Sequence, residues 1–157
     1  MSKPFSAEDA ENLEAIEQQF AVKAVAQAEA YWSLLRVRKG SDLRLTPLEN
    51  EIYDHFVSSF PEYLEEPERV RNLNETKDLK SPEAKKRWRE YLNVYEKKMD
   101  EFNFGTLLRL SANDEYTEQN TTFSVRAQFY AIEVFRNRHC MNDWIYEQAQ
   151  KEKEAKK

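Results

Sequence analysis

Glycine stands at only two of the chain's 157 positions, Gly40 and Gly105, and proline at five. So little punctuation leaves long uninterrupted segments, and those segments carry helical periodicity. Leu13, Ile16, Phe20, Ala24, Ala28, Tyr31 and Leu35 recur every three or four residues, which predicts one long amphipathic helix ending before Gly40. Ser6 with Asp9 resembles a capping box at its start. Thr46-Pro47-Leu48-Glu49 supplies an N-cap, a proline at the first helical position and a glutamate at the third. Leu48, Ile52 and Phe56 then line a short helix. Residues 61–81 form a polar connector, in which Val70 and Leu73 are placed to pin a short helix. Ser81-Pro82-Glu83 opens another helix, with Ala84, Trp88, Tyr91, Tyr95, Met99 and Phe102 as its apolar stripe.

Gly105 follows that stripe closely. A helix end favours a left-handed residue, which glycine adopts without a Cβ clash, so Gly105 reads as a helix stop. A phosphate cradle is the poorer reading, because the spacing and the Lys-Ser/Thr of a phosphate loop are missing. "TLLRL" after it has the composition of a short strand. Residues 121–139 alternate at first (Phe123, Val125, Ala127, Phe129) and are then apolar almost all round. We read a buried helix from about Ser124 to Arg138 with room for a short strand before it. Arg126, Tyr130, Glu133 and Asn137 share one seam of that helix, as its solvent edge or as a contact line for a partner. The last helix is capped at Asn142. Its apolar residues stop at Tyr146, so it is weakly anchored. The fold class is mainly α: one compact domain of about five helices over residues 1–146, with room for a small β-hairpin around 106–123, and a charged, frayed helix end at 147–157.

Composition limits function. Twenty residues are Phe, Tyr or Trp, enough to build an aromatic core in a chain that is 34% charged. The net charge of −5 disfavours sequence-specific nucleic-acid binding. A lone Cys140 suits a reducing compartment, and no apolar leader or membrane-length run is present, so a cytoplasmic protein is expected. The N-x-[ST] matches at Asn74 and Asn120 then read as chance.

No GxGxxG, GxSxG, CxxC or HExxH occurs. The adjacent His139 and Cys140 point about 100° apart on a helix and cannot form a nucleophile–base pair. Glu14 and Glu17 are the nearest helical carboxylate pair, on a charged face, and with two histidines in the chain no metal site is expected. Basic clusters at Arg36, Arg38, Lys39 and Arg44, and at Lys85, Lys86, Arg87 and Arg89, read as solvated faces or as docking sites for an acidic surface or ribosomal RNA. The expectation is a non-enzyme without cofactor.

Glu101-Phe102-Asn103-Phe104-Gly105-Thr106-Leu107-Leu108-Arg109, Phe129-Tyr130-Ala131-Ile132-Glu133 and Arg136-Asn137-Arg138 carry a resemblance, as do Gln19 to Leu35, Leu43 to Phe56 and Ala84 to Leu92. Through these segments nearly the whole chain resembles the eukaryotic family of polysaccharide-biosynthesis-domain-containing proteins, and within it the fungal members. The family label implies sugar chemistry. A sugar-modifying methyltransferase, however, needs a parallel sheet and a glycine-rich cofactor loop, and two glycines among long amphipathic helices supply neither. The resemblance to fungal members implies a dedicated chaperone at the ribosome for nascent translation elongation factor 1-alpha. It would engage that client's GTP-binding domain and cooperate with the nascent-polypeptide-associated complex. A GTPase domain without nucleotide exposes apolar surface that an aromatic-rich helical protein could cover. Candidate contacts are Arg109, Tyr116, Arg126, Tyr130, Glu133, Trp144, Ile145 and Tyr146. For Trp144 and Ile145 the alternative is docking of the last helix on the core. The alternatives for the whole chain are a small enzyme of polysaccharide metabolism and a generic protein-binding adaptor.

Overall fold

The computed structural model describes the backbone of residues 7–156 and the side chains of residues 21–156. The Ser6–Asp9 capping pair, Leu13, Ile16, Phe20 and the Glu14–Glu17 pair lie outside the described side chains. Helix α1 (Ala7–Val37) turns Ala24, Ala28, Tyr31 and Leu35 into the core, the spacing its sequence predicts. It ends in a 3-10 turn, Gly40–Asp42.

Helix α2 (Glu49–Ser59) starts two residues after the predicted first position, Pro47, and its N-cap position is Leu48, with no side-chain cap. Thr46 Oγ1 accepts from the Leu48 N–H at 3.3 Å, and Glu49 Oε2 accepts from the Leu45 N–H at 2.9 Å. Ile52 and Phe56 are fully buried. The connector folds into α3 (Glu62–Glu65) and α4 (Glu68–Arg71), each led by a proline, and then a π-helical segment, Glu75–Lys80. Val70 and Leu73 are buried as expected. Asp78 pins this region: it accepts from Tyr63 Oη at 2.9 Å, Arg69 Nη2 at 3.0 Å and the Asn74 N–H at 2.8 Å.

Helix α5 (Pro82–Asn93) has Ser81 as a true N-cap, its Oγ accepting from the Ala84 N–H at 3.1 Å. The helix does not reach Phe102. Beyond Asn93 the chain continues as irregular turns that still bury Tyr95 and Met99. The left-handed residue of this stretch is Glu101, at φ 53°, and neither glycine has positive φ. Gly105 is therefore not a helix stop. It opens β1 (Gly105–Arg109), which pairs antiparallel with β2 (Thr121–Val125) in the register Gly105↔Val125, Leu107↔Phe123.

The hairpin holds residues 121–125 in extended form, so α6 (Arg126–Arg138) begins two residues later than the Ser124 of the sequence reading. α6 is the central element, packed against α2, α4, α5, both strands and the 3-10 turn. Around it the core is aromatic: Phe60 and Trp88 lie 4.6 Å apart, and Phe135 meets Phe56 edge-on at 5.7 Å. Helix α7 (Asp143–Ala155) packs along α1, and Met141, Ile145 and Ala149 are buried. Its first turn is fixed by a residue distant in sequence, since Ser41 donates its N–H and Oγ–H to the Asp143 carboxylate at 2.9 and 2.7 Å. Farther along, Arg36 reaches Glu152 at 2.9 Å. The last helix is better anchored than its apolar residues alone suggest.

Candidate functional site

The middle of α6 is built around a carboxylate where an apolar side chain would be expected. Glu133 Oε2 accepts from Arg136 Nη1 at 2.9 Å. Its Oε1 accepts from Tyr31 Oη at 2.8 Å and Asn142 Nδ2 at 3.1 Å, with Arg109 Nη2 at 3.5 Å. All of these side chains are buried. Two guanidinium groups against one carboxylate leave a surplus positive charge, and backbone carbonyls disperse it. Arg136 donates to the carbonyls of Val70, Arg109 and Leu110, and Arg109 to those of Ala112 and Asp114, all within 3.1 Å. The network thereby ties α4, β1 and the loop after β1 to α6.

Burial alone would favour a protonated Glu133. The flanking Arg136 and Arg109 outweigh it and hold the carboxyl below its usual range. Burial, with the negative charge of Glu133 beside it, pushes the Tyr31 phenol well up and keeps it a donor. Asn142 completes the set. It occupies the N-cap position of α7 but does not cap; its Nδ2 donates to Asn137 Oδ1 at 2.7 Å and its Oδ1 accepts from Arg109 Nη2 at 2.6 Å.

Above this network lies an open groove of about 680 Å³ between α1, Leu107 of β1 and the loop 115–121. The Arg109 guanidinium carbon sits 5.5 Å from the Trp32 ring and 5.7 Å from the Tyr116 ring, both of which line the groove. Trp32 meets Tyr116 edge-on at 6.2 Å and Trp144 at 6.1 Å. The Trp144 Nε1–H donates to the Ala112 carbonyl at 2.7 Å. The loop is held by Asn120, whose side chain accepts from the Ser111 N–H at 2.8 Å and donates to the Ser111 and Glu115 carbonyls at 3.0 Å. Glu29, Glu115 and Glu118 add three exposed carboxylates to the lining. The groove thus offers aromatic surface and negative charge on a fixed base, the chemistry of a binding surface.

Of the sequence-predicted contacts, the structure brings together Arg109, Tyr116, Glu133 and Trp144. Arg109 and Glu133 are buried beneath the groove and cannot touch a partner directly. Ile145 is core. Arg126 is elsewhere, with Glu101 at 3.6 Å and over the Phe104 ring at 5.9 Å. Tyr130 packs beside Phe129, and Tyr146 does not line the groove. The seam on α6 is therefore no solvent edge: it runs inward, from the partly exposed Arg126 to the buried Glu133 and Asn137. Sequence reasoning missed Trp32 and Arg136. A tryptophan one residue off the core stripe and an arginine inside an otherwise apolar helix were the available signals. The basic clusters are partly neutralised internally, since Arg87 pairs with Glu62 at 2.5 Å. The His139 ring is stacked on Phe135 at 4.0 Å with Nε2 3.0 Å from Tyr53 Oη. Among the described residues no helix is long and apolar enough to cross a membrane.

Comparison with known proteins gives a consistent result. The profile of the family described as PBDC1 protein matches residues 16–147. The Saccharomyces cerevisiae protein PBDC1 homolog is 55% identical over 141 residues, covering 90% of this chain and 95% of that protein. The Schizosaccharomyces pombe homolog is 50% identical and covers 92% and 97%. Human protein PBDC1 is 38% identical over 90% of this chain and 58% of its own length. A solution NMR structure of a Saccharomyces cerevisiae protein superposes with a TM-score of 0.80 at 54% identity, over 92% of this chain and 97% of that one. With the matched profile spanning most of the described fold, and two fungal relatives at 50–55% identity matched over nearly their whole length, the chain belongs to the PBDC1 protein family.

Proposed function

We propose that this chain is a ribosome-associated, cytoplasmic chaperone without catalytic activity or cofactor. Its client is the nascent or nucleotide-free GTP-binding domain of translation elongation factor 1-alpha, and it works beside the nascent-polypeptide-associated complex. The observation that carries this reading is the aromatic, acidic groove between α1 and the loop 115–121, set on a rigid buried base. A chaperone must hold apolar segments of many near-native geometries while keeping its own shape. Trp32 and Tyr116 provide apolar contact area, and Arg109 fixes their base.

Release follows from linkage. If the chaperone prefers the nucleotide-free client, GTP binding by the client opposes chaperone binding, and a coupling of about 3 kcal/mol weakens it roughly 100-fold. The experiment is crosslinking of the full chain to ribosome-bound nascent chains of the elongation factor, followed by client affinity with and without GTP. Crosslinks to the GTP-binding domain that disappear on adding GTP support the reading. Turnover of a sugar nucleotide by the purified chain, with no crosslinks, sinks it.

A further inference from the structure

We propose that the groove receives an extended polypeptide segment in which lysine or arginine stands next to an apolar residue. The inference rests on the reading of the groove as the client-binding face and specifies the chemistry of what enters it. Charge gives the first argument. Glu29, Glu115 and Glu118 are exposed, and among the described residues none of them is in an ion pair and no basic residue lines the groove. Arg109 and Arg136 against Glu133 leave one positive charge beneath the groove, fewer than the three carboxylates that line it, so the site stays net negative. An anionic ligand such as a nucleic-acid backbone is repelled by this lining, and a cationic segment is drawn in.

Shape gives the second argument. Val22 and Val25, 68% and 45% exposed, lie one turn apart on α1, and Val25 belongs to the groove lining together with Ala28 and Trp32. This apolar strip leads along α1 into the groove, so a neighbouring apolar residue has a place to bury while the cation meets the carboxylates. The loop that carries Tyr116 and two of the carboxylates is held by Asn120 and Arg109, so little ordering is needed on binding. A second copy of this chain could offer Lys151 and Lys153, which are exposed on α7, and the experiment separates that occupant.

The full chain is titrated with three labelled peptides at low salt: one alternating lysine and leucine, one with glutamate for lysine, and one with serine for leucine. Only the first should bind, with affinity falling as salt is added. The double variant E115K/E118K, altered at two exposed loop positions, should weaken that binding about tenfold or more at an unchanged denaturation midpoint. Equal affinity for the three peptides overturns the inference, as does no binding of the lysine–leucine peptide or undiminished binding to the double variant. A dimer that E115K/E118K dissociates also overturns it, in favour of the second copy. Capture of the elongation factor separates the two readings. A client held equally well by both proteins leaves the chaperone reading standing and removes this inference. Peptide binding without client capture does the reverse.

Discussion

Arg136 and Glu133 stand one turn apart on α6, joined at 2.9 Å, with no more than 1% of either side chain exposed. On a surface such a pair contributes a few tenths of a kcal/mol; enclosed, it cannot lose one member cheaply. Glu133→Gln keeps the shape and leaves two guanidinium groups without a counter-charge. It should cost about 3–5 kcal/mol in chemical denaturation, a large share of a typical domain's stability.

Gly40 is constrained by space, with no positive φ to favour glycine. A Cβ there would overlap Asn137 Oδ1 and come within 3.1 Å of Asn137 Cγ and Asn142 Cβ. Gly40→Ala must displace two members of the buried network and should destabilise by ~1–3 kcal/mol, read from the shift of the denaturation midpoint.

Gly105 behaves oppositely. A Cβ built there meets nothing within 4 Å, and the residue lies in a strand. Gly105→Val should leave stability unchanged or raise it by ~0.5–1 kcal/mol. The strained position nearby is Glu101, so Glu101→Gly should gain ~0.5 kcal/mol as the left-handed cost is removed. A loss at Gly105 comparable to that at Gly40 would reverse this assignment.

Acid should weaken the fold in two windows. Burial lowers the affinity of His55 for a proton, with Lys98 adding to the effect and Glu51 opposing it, and burial lowers that of His139. For both, the folded state binds the proton less readily than the unfolded chain. Their contribution is complete above the ordinary value of 6.5 and is lost as the pH falls below it. Glu133, held below its ordinary 4.5, follows at lower pH by the same sign. Denaturation midpoints measured from pH 8 to 3 should fall in both windows, and the double variant H55F/H139F should flatten the upper one.

The helices were legible because their signals are local. Ser81-Pro82-Glu83 and the stripe through Tyr31 and Leu35 need nothing beyond neighbours in sequence. The end of α5 was not legible. Tyr95 and Met99 keep a helical spacing while the backbone departs from a helix, so burial persists where regular hydrogen bonding does not. The base of the site was hidden for a different reason. Glu133, Asn137 and Asn142 look like surface residues one at a time. They become core residues only because Tyr31, Arg109 and Arg136 converge on them, in one case from more than a hundred positions away. The groove itself joins α1 to a loop far along the chain, a juxtaposition that periodicity does not encode.

The order in which a ribosome delivers these partners bears on the birth of the protein itself. Tyr31 emerges first, Arg109 much later, and the neutralising Glu133 and bridging Asn142 later still. A growing chain that has exposed only the hairpin holds a guanidinium that nothing yet can balance, so sealing it away is unfavourable. Early segments can form helical turns during synthesis, but the interior must stay open until α6 and the start of α7 are outside the exit tunnel. Closure is then a single late event, in which one carboxylate draws α1, β1 and α7 together.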